Sequence, residues 1–191
     1  GFGRIGRLLM RELISQAGKG EQLRLRAVVT RNNSDEDITK RGDLLRNDSV
    51  HGSFPGTVIE DYENKALIVN GHTVHMIAAN DPATIDYTKY GIHDALIIDN
   101  TGVVRDREGL SKHLSAKGVS KVLLTAPGKG DVPNVVYGVN EGNFDHHKPK
   151  IVMGIKGFGL SILDKYILRK YVSTFIFTMA ILSLIAVVFD V

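Results

Sequence analysis

The sequence contains no cysteine, and this absence excludes more chemistry than any other feature of its composition. Without thiols, the 191-residue chain has no disulfides, no thiolate zinc site and no cysteine nucleophile. A clear excess of one charge sign is also missing, because 24 basic side chains stand against 21 acidic ones. A formal net charge of +3 does not indicate contact with nucleic acid, so no nucleic-acid partner is expected.

Proline is scarce as well, with 5 residues, whereas 43% of the chain is hydrophobic and 24% is charged. These proportions exclude a disordered chain and a collagen-like repeat. The length fits one domain of ordinary size with an appendage.

The predicted appendage begins after residue 152 and contains an uncharged run at 171–189. At ~1.5 Å per residue, a helix over this run spans about 28 Å, close to the hydrocarbon thickness of a bilayer. The run predicts one transmembrane helix, with a buried core helix as the alternative. Because Lys165, Arg169 and Lys170 precede it, the positive-inside rule predicts a cytoplasmic N-terminal part, anchored at the inner membrane if the helix inserts.

The first six residues, GFGRIG, match the G-x-G-x-x-G pattern of dinucleotide-binding turns, with Gly1, Gly3 and Gly6 at its glycine positions. In such a turn the glycines let the backbone approach a pyrophosphate, and the next helix presents free N–H groups to that anion. The apolar residues that follow recur at helical spacing and predict this helix. The pattern normally follows a strand, and none precedes Gly1 here, so we expect a chain truncated at its N-terminus.

Further along, apolar strands alternate with helices. Strands are predicted at 23–29, 95–99 and 121–125, a β-hairpin at 66–69 and 73–77, and a helix at 105–117 that stops at Gly118. This alternation predicts an α/β fold with a Rossmann-like, doubly wound and mainly parallel sheet that lacks its first strand. Ligands of such sheets bind beyond the carboxyl ends of the strands. The segments predicted at that edge are 1–6, 30–31, 100–102 and 125–127.

Four sequence blocks together resemble glyceraldehyde-3-phosphate dehydrogenase. They are GFGRIGR at 1–7, RNDSVHG at 46–52, DNTG at 99–102 and KVLLTAPGKGDVPNVVYGVN at 121–140. The resemblance covers residues 1–152 and implies an NAD(P)-binding Rossmann domain of an aldehyde-oxidising, phosphorylating dehydrogenase. It also implies NAD or NADP as the cofactor and leaves a homo-oligomer possible.

The resemblance implies roles for individual residues around the cofactor. Gly3, Arg4 and Ile5 would lie against the pyrophosphate. Asn100, Thr101 and Gly102 would line the path from adenosine to nicotinamide, and Thr125 would lie near the nicotinamide ribose. For Thr101 and Thr125, ordinary turn chemistry is the alternative.

The choice between NAD and NADP depends on the residue after the second predicted strand. Dinucleotide sites usually place an acidic residue there, which binds the ribose 2′-hydroxyl. This chain has Arg31, which can instead pair with a 2′-phosphate or simply be solvated. Because the acidic residues at 35–37 follow closely and are another source of a carboxylate, the cofactor stays open, with the family's usual NAD preferred.

A catalytic half is not recognisable in this sequence. The family continues with a Ser-Cys-Thr-Thr-Asn segment, whereas residues 150–159 read KIVMGIKGFG. Both the nucleophilic cysteine and the histidine that assists it are missing, so no catalytic residue is predicted. The histidines are scattered, apart from the adjacent pair at 146–147, and no metal site is expected.

Residues 163–191 resemble the first membrane span of lipopolysaccharide-export permeases of the F/G type. Residues 153–191 are accordingly predicted to contain a linker, an interfacial helix and the transmembrane helix. The sequence thus favours a dinucleotide-binding domain that is truncated before its catalytic half and has no turnover on its own. The alternatives are a non-functional gene-fusion fragment and a membrane-tethered nucleotide-binding module.

Overall fold

The computed structural model describes residues 1–16, 23–137, 140 and 151–156. The α-helices in these residues are α1 (Arg4–Gln16), α2 (Asp35–Arg46) and α3 (Arg107–Leu114). The strands are β1 (Ala27–Thr30), β2 (Asn47–Asp48), β3 (Gly52–Ser53), β4 (Val58–Asp61), β5 (Ala66–Val69), β6 (His72–Ala78), β7 (Ala95–Asp99), β8 (Val119–Leu124), β9 (Asn134–Tyr137) and β10 (Ile151–Lys156). Strands thus alternate with helices along the chain, which confirms the predicted α/β class.

The chain divides into two compact units. The first comprises residues 1–135 and 144–155, and the second comprises 136–143 and 156–191. In the second unit, the backbone N–H of Val136 donates to Asn140 Oδ1 at 2.6 Å. The predicted domain boundary at residue 152 falls within β10.

The described strands form two larger sheets and one short pair. Their strand orders are β1-β6-β5-β4 and β7-β8-β10-β9, and β2 and β3 form a separate pair. The pairings β1–β6, β7–β8 and β8–β10 are parallel, whereas β4–β5 and β5–β6 are antiparallel. Strand β1 ends one sheet and β7 ends the other, and the prediction of parallel pairing is confirmed for β1–β6, β7–β8 and β8–β10.

The hairpin of β5 and β6 turns at Asn70 and Gly71, whose φ angles are 50° and 80°. Both values lie in the left-handed region, where asparagine and glycine are the residues that hairpin turns favour. Since the two strands are antiparallel with Val69 opposite His72, the predicted hairpin is confirmed.

Two predicted elements differ from the structure by three residues or more at one end. The strand predicted at 23–29 begins only at Ala27, although the carbonyl of Arg26 still accepts the His75 N–H of β6 at 2.9 Å. The helix predicted at 105–117 starts after Asp106, whose side chain accepts the N–H of Gly109, and it ends at Leu114. Gly118 lies beyond the helix with a φ of +90°, where a Cβ atom would come within 2.6 Å of a backbone oxygen.

Helix α1 packs on α2 through both apolar and polar contacts. Its buried residues Met10 and Ile14 are one turn apart and join a cluster with Ile38 and Leu45 of α2. The Arg11 guanidinium donates to the Leu45 carbonyl oxygen at 2.6 Å and thereby satisfies a carbonyl near the end of α2. These contacts fix the direction in which the first turn of α1 faces.

No helix among the described residues is both long and apolar enough to cross a bilayer. The predicted membrane helix at 171–189 and its interfacial lead-in lie outside the described residues.

Candidate functional site

The glycine-rich turn is tightly packed on one side and open on the other. A Cβ atom on Gly6 would overlap the carbonyl oxygen of Gly1 and lie 2.9 Å from Asn100 Nδ2. Gly1 itself is close to Asn100, since a Cβ atom there would lie 3.2 Å from Oδ1. A Cβ atom on Gly3, in contrast, would meet nothing within 4 Å. The turn therefore needs glycine for packing at Gly6 and leaves the backbone of Gly3 accessible to a ligand.

The N-terminus of α1 is suited to bind an anion. The first helical hydrogen bond runs from the Arg7 N–H to the Gly3 carbonyl at 3.0 Å. Helix geometry leaves the N–H groups that precede it without a partner inside the helix. The first turn carries no acidic residue, and Arg4 and Ile5 are exposed there. The helix dipole and the Arg4 charge thus attract a negative group to this point.

Asp99 organises the loops at the carboxyl ends of β7 and β8. Its side chain accepts the Thr101 N–H at 2.8 Å and lies 3.5 Å from His113 Nε2 of α3. Its backbone carbonyl accepts both the N–H of Thr125, at 3.0 Å, and the Thr125 hydroxyl, at 3.3 Å. One residue thus links both loops to α3.

The Asp99 carboxyl is only 5% exposed, and burial by itself raises its pKa. The hydrogen bonds from His113 and Thr101 outweigh burial and lower the pKa of Asp99 to about 2. Asp99 is therefore ionised at neutral pH, and its carboxylate holds the loop of residues 100–102 by accepting the Thr101 N–H.

A second buried carboxylate anchors α1 to the block at 46–52. Asp48 accepts the Arg7 guanidinium at 3.0 Å, and its other oxygen accepts the N–H groups of Val50 and His51, each at 3.0 Å. The Val50 N–H, the Arg7 guanidinium and the His51 groups together hold the pKa of Asp48 well below its ordinary value. In the sequence this block is notable only for its resemblance to the family. In the structure it holds α1, the helix after the glycine turn, in place.

At the carboxyl end of β1, the predicted cofactor-selecting residue is exposed. The Thr30 hydroxyl donates to the Asn32 carbonyl at 2.7 Å and turns the chain, so Arg31 points away from the core. The acidic residues considered as an alternative lie in the first turn of α2. There Asp35 pairs with Lys65 at 2.7 Å, and Asp37 pairs with an arginine one turn along the same helix.

One groove of about 910 Å³ brings several predicted residues together. Its lining includes Gly1, Gly3, Thr30, Arg31 and Thr101, and it does not include Arg4, Ile5, Gly6, Asn100, Gly102 or Thr125. Gly6 and Asn100 lie against Gly1, and Thr125 donates to Asp99, and both Gly1 and Asp99 line the groove.

The lining also includes Asn80 and Arg41, neither of which is among the predicted site residues. Asn80 lies two residues after the end of β6, and a polar residue so close to a strand end is a usable signal. Arg41 belongs to α2 and places its guanidinium carbon 5.7 Å from the ring centre of Phe2. No motif marked Arg41, because only the packing of α2 on the glycine turn places it there. Within the described part of the chain, no three metal-ligating side chains come together, and the histidine pair at 146–147 lies outside it.

The glycine turn, the start of α1 and the loops after β1 and β7 meet at one edge of an α/β fold, which defines a dinucleotide-binding domain of the Rossmann-like class. Residues 1–107 match the family model "Glyceraldehyde 3-phosphate dehydrogenase, NAD binding domain", and the chain belongs to that family. Family membership confirms the predicted nicotinamide dinucleotide, NAD or NADP, as the cofactor of this class of domain.

The relatives are longer proteins. A glyceraldehyde-3-phosphate dehydrogenase-like protein of Pseudomonas aeruginosa is 56% identical over 140 residues, which cover 73% of this chain and 30% of the relative. Glyceraldehyde-3-phosphate dehydrogenase of Zymomonas mobilis is 39% identical over 141 residues, covering 73% of this chain and 39% of the relative. The Thermotoga maritima enzyme is 39% identical over 150 residues, covering 78% and 41%. The matched part of this chain thus spans between 30% and 41% of these relatives.

The role of Asp99 predicts a pH-dependent loss of stability on Asp99→Asn. Because the folded pKa of about 2 lies below the ordinary 3.8, the carboxylate contributes about 2 kcal/mol to the free energy of unfolding at neutral pH. That contribution is fully present above about pH 4 and disappears as the pH falls towards 2. In urea unfolding, the free energy of unfolding of the variant should therefore fall further below that of the unaltered chain at pH 7 than at pH 3.

Asp94→Asn is the matched control, since Asp94 is exposed just before the amino end of β7. This variant should change the free energy of unfolding by less than about 0.5 kcal/mol at either pH. A deficit for Asp99→Asn that is equal at both pH values would contradict the assigned role.

Proposed function

We propose that residues 1–152 bind a nicotinamide dinucleotide at the groove beside the glycine turn and have no dehydrogenase turnover on their own. The observation that carries the proposal is that the exposed backbone of Gly3, directly before α1, and the polar ends of β1 and β7 all line this groove. Each of these features supplies a group that suits a particular part of the cofactor.

The pyrophosphate is assigned to the first turn of α1. Free N–H groups and the positive end of the helix dipole favour an anion there, and Arg4 adds a charge. Gly3 offers the open approach that a phosphate needs, while Gly6 lets the turn pack against Asn100. Ile5 is exposed on the same turn and is assigned to contact the cofactor.

The sugars are assigned to the strand ends. Hydroxyl and amide groups suit ribose, and Asn100, Thr101 and Thr125 carry such groups directly after the carboxyl ends of β7 and β8. Gly102, with a φ of +68°, allows the chain to turn away after Thr101. Arg31 is assigned to the adenosine ribose, where it would favour the 2′-phosphate of NADP.

The absence of turnover follows from the missing nucleophile. A thiolate is needed to form the covalent intermediate from which the family's aldehyde oxidation proceeds, and the chain contains no cysteine. The activity named for the relatives belongs to proteins of which this chain spans less than half.

A membrane-tethered version of this binding module is a second candidate, favoured by the uncharged run at 171–189. Insertion of that run would leave the three preceding basic residues, and with them the nucleotide domain, on the cytoplasmic side of the inner membrane. The cofactor site would be the same in both cases.

A charge placed on Gly3 tests the pyrophosphate assignment. Gly3→Asp is tolerated sterically, and aspartate is a favourable N-cap, so the fold should be retained. Its charge should weaken NAD or NADP binding about tenfold or more, because a like charge at roughly 4 Å costs about 1–4 kcal/mol. Calorimetric titration of the chain with millimolar cofactor measures the change.

Gly3→Asn is the control, since it has the same size and capping ability without the charge. It should bind the cofactor more tightly than Gly3→Asp. Equal affinities for the two variants would show that no phosphate lies at this turn, and a complete lack of binding by the unaltered chain would remove the proposal itself.

Arg31→Ala tests which dinucleotide the domain selects. Loss of a 2′-phosphate contact should weaken NADP binding about tenfold, the equivalent of a charge-assisted hydrogen bond of roughly 1.5 kcal/mol. NAD binding should change little, and it serves as the internal control in the same titration. If neither ligand is affected, Arg31 is a solvated side chain without a role in selection.

The chain should not oxidise glyceraldehyde 3-phosphate. With cofactor and inorganic phosphate present, absorbance of the reduced nicotinamide should stay at the rate of the protein-free reaction, because no thiohemiacetal can form without a thiolate. An active glyceraldehyde-3-phosphate dehydrogenase in the same assay is the positive control. Reduction that depends on both substrate and phosphate would contradict the proposal.

A further inference from the structure

The guanidinium of Arg41 lies between the glycine turn and the first turn of α2. On one side, its central carbon is 5.7 Å from the ring centre of Phe2, which stands between Gly1 and Gly3. On the other side, Nε and Nη2 donate to the two carboxylate oxygens of Asp37, with Nη2 at 3.0 Å from Oδ1. The side chain is 19% exposed and lines the groove of about 910 Å³. Two contacts thus hold this guanidinium at the groove wall.

One nitrogen of Arg41 has no acceptor in the described part of the chain. Asp37 occupies Nε and Nη2, whereas Nη1 makes no hydrogen bond to any described residue. The N–H donors of arginine form a planar fork that matches the oxygens of a carboxylate or a phosphate. Arg41 therefore keeps a charged donor for an anionic group of a ligand in the groove.

The acidic residues near this position do not line the groove. Asp35, Glu36 and Asp37 form the first turn of α2, shortly after the carboxyl end of β1. Asp35 is paired with Lys65 at 2.7 Å. Asp37 is paired with Arg41. Dinucleotide sites that prefer NAD usually place a carboxylate here, which accepts the ribose 2′-hydroxyl. In this chain the ion pairs and the lining residues leave that role without a carboxylate from α2.

Two arginines stand in place of that carboxylate. Arg31 follows the end of β1 directly, lines the groove, is exposed and has no ion pair among the described residues. Arg41 approaches from α2 and lines the same groove. A pair of guanidinium groups favours a doubly charged phosphate over a neutral hydroxyl, because hydrogen bonds between charged partners are the stronger ones.

We propose that Arg41 is a specificity-determining residue of the dinucleotide site, and that its Nη1 group, together with Arg31, binds a phosphate monoester on the adenosine ribose. The preferred cofactor is then NADP, whose 2′-phosphate distinguishes it from NAD. Asp37 is a positioning residue that holds Arg41 and cancels part of its charge. The inference rests on the proposed dinucleotide site and adds the residue that selects between its two candidate ligands.

Arg41→Met in the full chain is the first test. Methionine keeps an apolar side chain next to Phe2 and removes the charge and the donors. Calorimetric titration should show about tenfold weaker binding of NADP, through the loss of a charge-assisted hydrogen bond, and little change for NAD. Adenosine 2′,5′-bisphosphate and adenosine 5′-monophosphate should show the same contrast without a nicotinamide.

Asp37→Asn should have the opposite effect. Asparagine keeps an oxygen that accepts from Arg41 and removes the negative charge beside the phosphate position. NADP and the bisphosphate should bind about fivefold more tightly, because a like charge near the phosphate is removed, and NAD should gain less. A purely structural role of the ion pair would instead weaken every ligand in both variants.

Lys40→Met is the matched control. Lys40 is the exposed neighbour of Arg41 on α2 and does not line the groove. The substitution removes the same charge at a place where solvent and salt screen it. None of the four affinities should change by more than about twofold.

The four ligands separate this inference from the proposed function. If Arg41→Met weakens NAD and NADP equally, Arg41 contacts the pyrophosphate, so dinucleotide binding stands and the inference is overturned. Unchanged affinities overturn the inference as well. If the bisphosphate binds through Arg41 but neither dinucleotide binds, the inference stands and the proposed nicotinamide cofactor is wrong. Failure of the unaltered chain to bind any of the four ligands removes both.

Discussion

The buried carboxylate of Asp99 is the interaction on which the candidate site depends. It lies where β7 ends. Its side chain contacts Thr101 and His113, and its backbone carbonyl accepts the hydroxyl of Thr125. Because burial opposes ionisation, the carboxylate stays charged only through these hydrogen bonds. The positions of the loops that face the groove thus depend on the hydrogen bonds of this one residue.

Asp48 holds α1 in position, as Asp99 holds the loops at the carboxyl ends of β7 and β8. Its bond to Arg7 ties α1 to the block at 46–52, and Arg11 ties the same helix to the end of α2. The two carboxylates together set the relative positions of Gly3 and Thr101, which line one groove although they are far apart in sequence. The binding geometry therefore comes from two buried acid groups, of which Asp99 also lines the groove.

Local signals in the sequence determined the elements whose causes are themselves local. The hairpin around Asn70 and Gly71 and the helix α1 were both predictable, because turn residues with left-handed φ angles and helical periodicity are visible in the sequence itself. The tertiary structure alone decided the rest. Arg41 reaches the groove and β1 begins at Ala27 through contacts between segments distant in sequence, and such contacts leave no periodic trace.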